Sequence, residues 1–165
     1  MKILIILALA LMPACNTPPA EPPGSVGNVP EAAAAELALG KWRCGDGPVN
    51  ATLVMENITL ELGADGAYVG TIDFHDIATG VSKRWHAVNH GRYTIADGTI
   101  CFVHGELSMT AQNAAAKETD EQLEAGGEPT LEESIRSRVP SGQKDCYPIQ
   151  ELSAQRLNYG TVCER

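Results

Sequence analysis

The stretch Gly91-Arg92-Tyr93-Thr94-Ile95-Ala96-Asp97-Gly98-Thr99-Ile100-Cys101-Phe102 decides the fold. Asp-Gly suits a two-residue hairpin turn of the primed type, in which both central residues need positive φ. With Asp97-Gly98 as that turn, Ile95 faces Ile100 and Tyr93 faces Phe102, so the apolar side chains share one face of the ribbon. The same test applies to the neighbouring turns. At Ala64-Asp65-Gly66 a two-residue turn splits the apolar set, whereas a three-residue loop with Gly66 left-handed sets Leu62 opposite Tyr68 and Ile58 opposite Ile72. A four-residue turn between Asp76 and Val81 sets Ile72 opposite Trp85 inside and Asp73 opposite Arg84 outside. Working outward, β-branched and aromatic runs separated by Gly, Asp and Asn predict strands over 40–44, 51–62, 67–76, 81–87, 91–96, 99–109, 147–152 and 156–163. Short strands in succession, with no long helical period before residue 110, predict an all-β chain curled into an antiparallel up-and-down β-barrel.

One segment breaks the pattern. Residues 110–145 are acidic, Ala/Gly-rich and longer than a hairpin loop, and are predicted to be an insertion carrying one short helix. Thr130-Leu131-Glu132-Glu133 reads as a capping box, Leu131, Ile135 and Val139 follow at helical spacing, and Pro140-Ser141-Gly142 ends the run. The charges from Lys117 to Glu124 read as a solvated face or mobile loop. Loop-closure entropy changes slowly with length, so deleting Gln112 to Ser141 is expected to leave the barrel folded.

At the other end, Lys2 and an apolar run from Ile3 to Met12 precede Pro13, Ala14 and Cys15. The run is too short to span a bilayer, which takes about 20 apolar residues, and reads as a signal peptide. Leu11-Met12-Pro13-Ala14-Cys15 resembles the bacterial lipobox, and Asn16 resembles the sorting residue of outer-membrane lipoproteins. The resemblance implies that Cys15 carries thioether-linked lipid and palmitate and holds the protein to the outer membrane, its soluble part facing the periplasm or cell surface. The predicted organisation is a signal peptide over 1–14, a disordered Pro-, Ala- and Gly-rich tether over 15–36 and one domain over 37–165. The net charge is −9, with Lys and Arg scattered, which argues against a nucleic-acid partner.

Beyond Cys15, cysteines stand at 44, 101, 146 and 163, none in a CxxC pair, and an even number in an exported chain predicts two disulfides. Three connectivities are open to the sequence. Closing a meander sets the last strand beside the first, so the barrel favours Cys44 with Cys163, leaving Cys101 and Cys146 to staple the base of the insertion.

Leu39-Gly40-Lys41-Trp42, Leu60-Glu61-Leu62 leading to Asp65-Gly66-Ala67-Tyr68, Gly91-Arg92-Tyr93-Thr94-Ile95 and the closing Ile149-Gln150-Glu151-Leu152-Ser153 resemble bacterial lipocalin-like domains, which are small calycin-like barrels. The resemblance implies that Trp42 seals one end of the barrel and that the strands surround a cavity. Inward parity offers Tyr68, Trp85, Tyr93 and Phe102 as ligand-binding lining, although a filled core would use the same residues. Trp42-Arg43-Cys44-Gly45-Asp46-Gly47 also resembles the opening of periplasmic inhibitors of c-type lysozymes, but the Ser/Ala/Gly-rich loop those proteins present to their target has no counterpart here.

Catalytic signatures do not stand out. The sequence carries neither a Gly-rich phosphate loop nor a Gly-x-Ser-x-Gly elbow, so no catalytic residue, cofactor or metal is predicted. Strand parity sends His75 and His86 outward and His104 inward, which separates them. The expected function is a membrane-anchored envelope lipoprotein whose lipocalin-like domain binds an apolar small molecule or envelope component. The alternative is a protein-interaction module, such as an inhibitor of a lysozyme-type enzyme.

Overall fold

A computed structural model describes residues 30–78 and 80–165, so the predicted signal peptide, Cys15 and the first part of the tether lie outside the described residues. The described chain is mostly β, and its ten antiparallel strands curl into a half-barrel accompanied by three short helices. In chain order the elements are α1 (Glu31–Ala38), β1 (Gly40–Cys44), β2 (Gly47–Pro48), β3 (Leu53–Leu62), β4 (Ala67–Asp76), β5 (Lys83–Ala96), β6 (Thr99–Ala111), α2 (Ala114–Gly126), α3 (Leu131–Arg138), β7 (Lys144–Pro148), β8 (Glu151–Leu152), β9 (Arg156–Asn158) and β10 (Val162–Glu164). The sheet runs β7-β6-β5-β4-β3-β1-β10-β9-β8, with β2 added on β3. First and last strands therefore meet, as the meander requires. The two free edges, β7 and β8, are consecutive in sequence and joined only by Ile149-Gln150.

Turn chemistry explains the central registers. Asp97 and Gly98 have φ of 50° and 68°, and the strands they join pair Ile95 with Ile100 and Tyr93 with Phe102. Gly66, at φ 75°, supports the loop that sets Leu62 opposite Tyr68. Two expectations fail locally. The β3–β4 ladder shifts between Glu56 and Thr59, where Asn57 takes φ 51°, so Ile58 does not pair with Ile72. The connection after Asp76 spans residues 77–82, because Asp76 pairs with Lys83, and the β4–β5 register moves by two residues. Side chains alternate with period two, so every face is kept while partners change. Phe74 meets Trp85 in place of Ile72, and Asp73 meets His86 in place of Arg84. The strands predicted over 81–87 and 91–96 are also one continuous strand, β5.

Both forecast disulfides are present, Cys44–Cys163 and Cys101–Cys146, each between directly paired residues of neighbouring strands.

The concave face holds two apolar clusters. The first gathers Trp42, Leu60, Leu62, Tyr68, Tyr93, Ile95, Ile100, Phe102, Ile149 and Leu157. Trp42 is fully buried at this end, and its Nε1 donates to the Ala38 carbonyl at 2.7 Å. The Arg165 guanidinium lies 4.2 Å above the indole and donates to the carbonyls of Leu37 and Leu39. The end of the expected tether is thereby built into the core: residues 31–36 belong to α1, and Ala34 among them is buried.

The second cluster corrects the reading of the insertion. The connection between β6 and β7 carries two helices, not one, because the segment around Lys117–Glu124 is α2. Asn113 caps α2 by accepting from the Ala116 N–H, Gly127 closes it in the left-handed conformation, and Ala, Glu, Gln and Leu between them are strong helix formers. Thr130 and Glu133 cap α3 reciprocally, as the capping box predicts. Ala116 is fully buried against Phe74, Trp85 and Ala87, and Leu131 and Ile135 pack against the same group. The insertion is thus the cover of the second core and not a separable loop.

Candidate functional site

Against the first cluster lies a cleft of about 440 Å³ lined by Leu60, Tyr68, Asn89, Phe102, His104, Tyr147, Tyr159, Gly160 and Thr161. Its floor is built by a local irregularity. The β5–β6 register shifts between Asn89 and Gly91, whose partners are Leu107 and His104, so β6 carries one extra residue there. Gly105 permits the close approach, since a Cβ at that position would stand 2.4 Å from the His90 carbonyl oxygen. Before the bulge Phe102 and His104 share the concave face with Ile100; after it Leu107 and Met109 take over that face.

Gly91 has a related role. Tyr68 pairs with Gly91 across β4 and β5, and the Tyr68 ring lies against the space a Cβ would fill. The ring reaches over the glycine, makes an edge-to-face contact with Phe102 at 5.2 Å between centroids, and delivers its hydroxyl to His104 Nδ1 at 2.9 Å.

From there a polar chain can be followed atom by atom. His104 Nε2 stands 2.9 Å from Asp145 Oδ2, and Gln143 Nε2 donates to both oxygens of the same carboxylate. A carboxylate accepts, so the proton of that contact sits on Nε2. The Tyr68 hydroxyl meets Nδ1 on the other side of the ring, and Asn89 Nδ2, which donates to the Tyr68 oxygen at 3.1 Å, lies 3.1 Å from Nδ1 as well. Asn89 Oδ1 is left buried without a partner.

The charges follow this geometry. Hydrogen bonds from Gln143 and then His104 hold the Asp145 carboxyl below the usual range. Burial pushes Tyr68 up to about 12 against the hydrogen bond from Asn89, and the Asp145 charge adds to the rise. Burial likewise pushes Tyr159 up to about 12, and it raises Tyr147 with help from Asp145. Tyr68 thus stays protonated at neutral pH, as a positioned hydroxyl and not a phenolate nucleophile. The three other rings, Phe102, Tyr147 and Tyr159, have centroids 5.6–6.4 Å apart and wall the opposite side.

Of the side chains predicted to line a cavity, the structure brings Tyr68 and Phe102 to the cleft and separates the other two. Trp85 belongs to the second cluster, where its Nε1 donates to Asp120 at 2.9 Å, and Tyr93 lies in the first, donating to the Gly63 carbonyl at 2.9 Å. Asn89, Asp145, Tyr147 and Tyr159 were not anticipated. The outward histidines are each paired: His75 with Glu56 and Ser82, His86 with Asp73 at 2.7 Å. Among the described residues no group of three or more His, Cys, Asp or Glu could hold a metal ion.

Fold and site together define a curled antiparallel half-barrel with an aromatic cleft and one ordered polar chain in its floor. No protein-family model matches the chain, and no curated protein matches it.

Proposed function

We propose that the protein is a membrane-anchored envelope lipoprotein whose half-barrel binds a small, largely apolar molecule or envelope component in the cleft beside the first cluster. The observation that carries this reading is the cleft itself, whose volume of about 440 Å³ falls within the range of small-molecule sites. An apolar lining with a few convergent polar groups is the usual composition of such a site. The lipobox-like Leu11–Cys15 stretch supports the anchor, with Cys15 as its attachment point. One experiment addresses both parts: intact-mass spectrometry of protein extracted natively from membranes. The expected result is a lipid mass on Cys15 and a noncovalent companion mass lost on denaturation. An unmodified Cys15 in washed membranes refutes the anchor, and a ligand-free spectrum together with failure to bind any aromatic probe refutes the binding module.

A second reading, a protein-interaction module, draws on Val49, Ile77 and Val81, whose side chains are exposed on loops beside the start of β3. It is distinguished from the first by ligand-independent capture of a partner, lost on changing those residues to Ser.

A further inference from the structure

We propose that the Cys101–Cys146 disulfide is a thiol–disulfide exchange site, opened by a dithiol reductant while the fold stands, and that opening it loosens the cleft wall carried by β7. The two disulfides of the chain join neighbouring strands in the same way, yet they sit in opposite surroundings. Cys44 and Cys163 belong to the first cluster with 3% and 0% of their surface exposed, so a reductant reaches them only when that core opens. Cys101 stands between the inward residues Ile100 and Phe102 and therefore points to the convex face, and Cys146, directly opposite it, is exposed. The neighbours of the pair on that face, Thr94, Val103, Lys144 and Pro148, are exposed as well, so no core closes over the sulfurs.

Position selects the sulfur that is attacked. A thiolate approaches in line with the bond it breaks, so attack on Cys146 comes from beyond β7 and attack on Cys101 from the side of β5. β7 is a free edge with no strand paired beyond it, whereas Thr94 stands opposite Cys101 on β5. Lys144, two residues from Cys146 on the same face, sets a cation beside the reacting sulfurs and favours the thiolates that form there. The incoming thiolate bonds to Cys146 Sγ, the Cys101–Cys146 bond breaks, and its electron pair leaves on Cys101 Sγ, which takes a proton. The second sulfur of the reductant then closes on the first and frees Cys146. The protein disulfide gains two electrons and two protons, and the dithiol becomes a disulfide.

The strand held by this bond carries two groups of the cleft. Asp145 bonds His104, and Tyr147 forms a wall with Phe102 and Tyr159. The only strand pairing of β7 is its ladder with β6, so loss of the cross-link lowers the cost of opening that edge and leaves the other ladders as they are.

The test exposes the purified, disulfide-bonded protein to dithiothreitol at neutral pH without denaturant, alkylates free thiols at intervals and maps them by peptide mass spectrometry. Cys101 and Cys146 are expected to be alkylated at least about 100-fold faster than Cys44 and Cys163, because only the second pair waits for the core to open. In the partly reduced protein the amides of Lys144, Asp145, Cys146 and Tyr147 should exchange with deuterium at least about tenfold faster, while those of β3 and β4 keep their rates. A second arm uses glutathione with acid quenching, and the mixed disulfide is expected on Cys146. Equal rates for the two pairs, or opening of Cys101–Cys146 only where denaturant unfolds the chain, would overturn the exchange site. Glutathione found mainly on Cys101 would overturn attack from the free edge, and unchanged β7 amides would overturn the link to the cleft. No readout requires a bound ligand, so these results stand apart from the fate of the binding module.

Discussion

Replacing Gly91 with Ala should damage the site and the fold together, and the extent can be worked from the backbone. A Cβ at Gly91 would stand 2.4 Å from the Val103 carbonyl oxygen and 2.5 Å from Cε1 of Tyr68, both well inside contact distance. The oxygen cannot retreat freely, because Val103 pairs with Arg92 in the β5–β6 ladder. The ring cannot either, since Tyr68 is only 4% exposed and is wedged against Phe102. Overpacking of this kind costs about 1–3 kcal/mol, and with a backbone atom as one of the obstacles the upper half of that range applies. For a domain of this size roughly 4 °C of Tm is lost per kcal/mol, so a fall of about 8–12 °C is expected in a thermal melt. Gly70 is the internal control. It lies on β4, two residues from Tyr68, yet its Cβ would meet nothing closer than 3.9 Å, so Gly70→Ala should shift the melt by less than about 2 °C. The variant should also move the His104 ring signals, because the Tyr68 hydroxyl can no longer hold its position. A Gly91→Ala protein that melts within 2 °C of wild type would falsify the claim that Tyr68 owes its placement to the missing side chain.

Trp85→Ala should cost about 3–5 kcal/mol in chemical denaturation, since it empties the second cluster and strips Asp120 of its only bonded donor; removing residues 112–143 should abolish cooperative unfolding, and a sharp two-state transition after that deletion would show the helices to be dispensable. Reduction of the disulfides should be unequal in a chain-entropy treatment, about 5 kcal/mol for Cys44–Cys163 with its separation of 119 residues and about 4 for Cys101–Cys146 with 45, so single Cys→Ser pairs compared in urea should rank in that order. In alkali, Tyr68 and Tyr159 should resist ionisation until about pH 12, and because their folded pKa lies above the ordinary value near 10, their contribution is complete below pH 10 and lost on rising to 12. Tyrosinate absorbance that reaches completion near pH 10 in the folded protein would contradict their burial. In acid the sign reverses: hydrogen bonds from His86 and Asn57 outweigh the burial of Asp73, Asp145 is held down by Gln143 and His104, and stability present above about pH 4 should be lost as pH falls below it.

How far the sequence could be read depended on how local the deciding chemistry was. Asp97-Gly98 and Ala64-Asp65-Gly66 set their own registers within a few residues, and the pairs nearest each turn stand, whereas Ile58 and Ile72, beyond the shift at Asn57, do not meet. The turn after Asp76 contains no residue pair that demands a particular length, so its register slid by two while every face stayed correct. The signals for α2 were present in Asn113 and Gly127, but a face built from alanine looks solvated until Trp85 and Phe74 are seen above it. The lining residues teach a similar lesson. Alternation assigned Tyr68, Trp85, Tyr93 and Phe102 to one face correctly, but it contains no information on height along the barrel, and height decides which members of the first cluster reach the cleft and which side chain falls in the second. His104 was legible as inward. Asp145 and Tyr159, brought to it across the topology by β7 and by the loop after β9, were not.

The seam at Ile149-Gln150 has a consequence for tolerance. Tyr68, Asn89 and His104 stand on β4, β5 and β6, three strands laced to one another, so their mutual spacing is as rigid as the sheet. Tyr147 stands on β7 and Tyr159 beyond β9, on opposite sides of the unlaced seam, and no ladder sets the gap between them. The gap is held instead by the N–H groups of Ile149 and Gln150, bonded to the Gly98 and Asn158 carbonyls, and by the contact of the two rings at 5.8 Å. On the proposed binding reading, enlarging the apolar body of a ligand toward that seam should change its affinity less than enlarging it toward β4, β5 and β6.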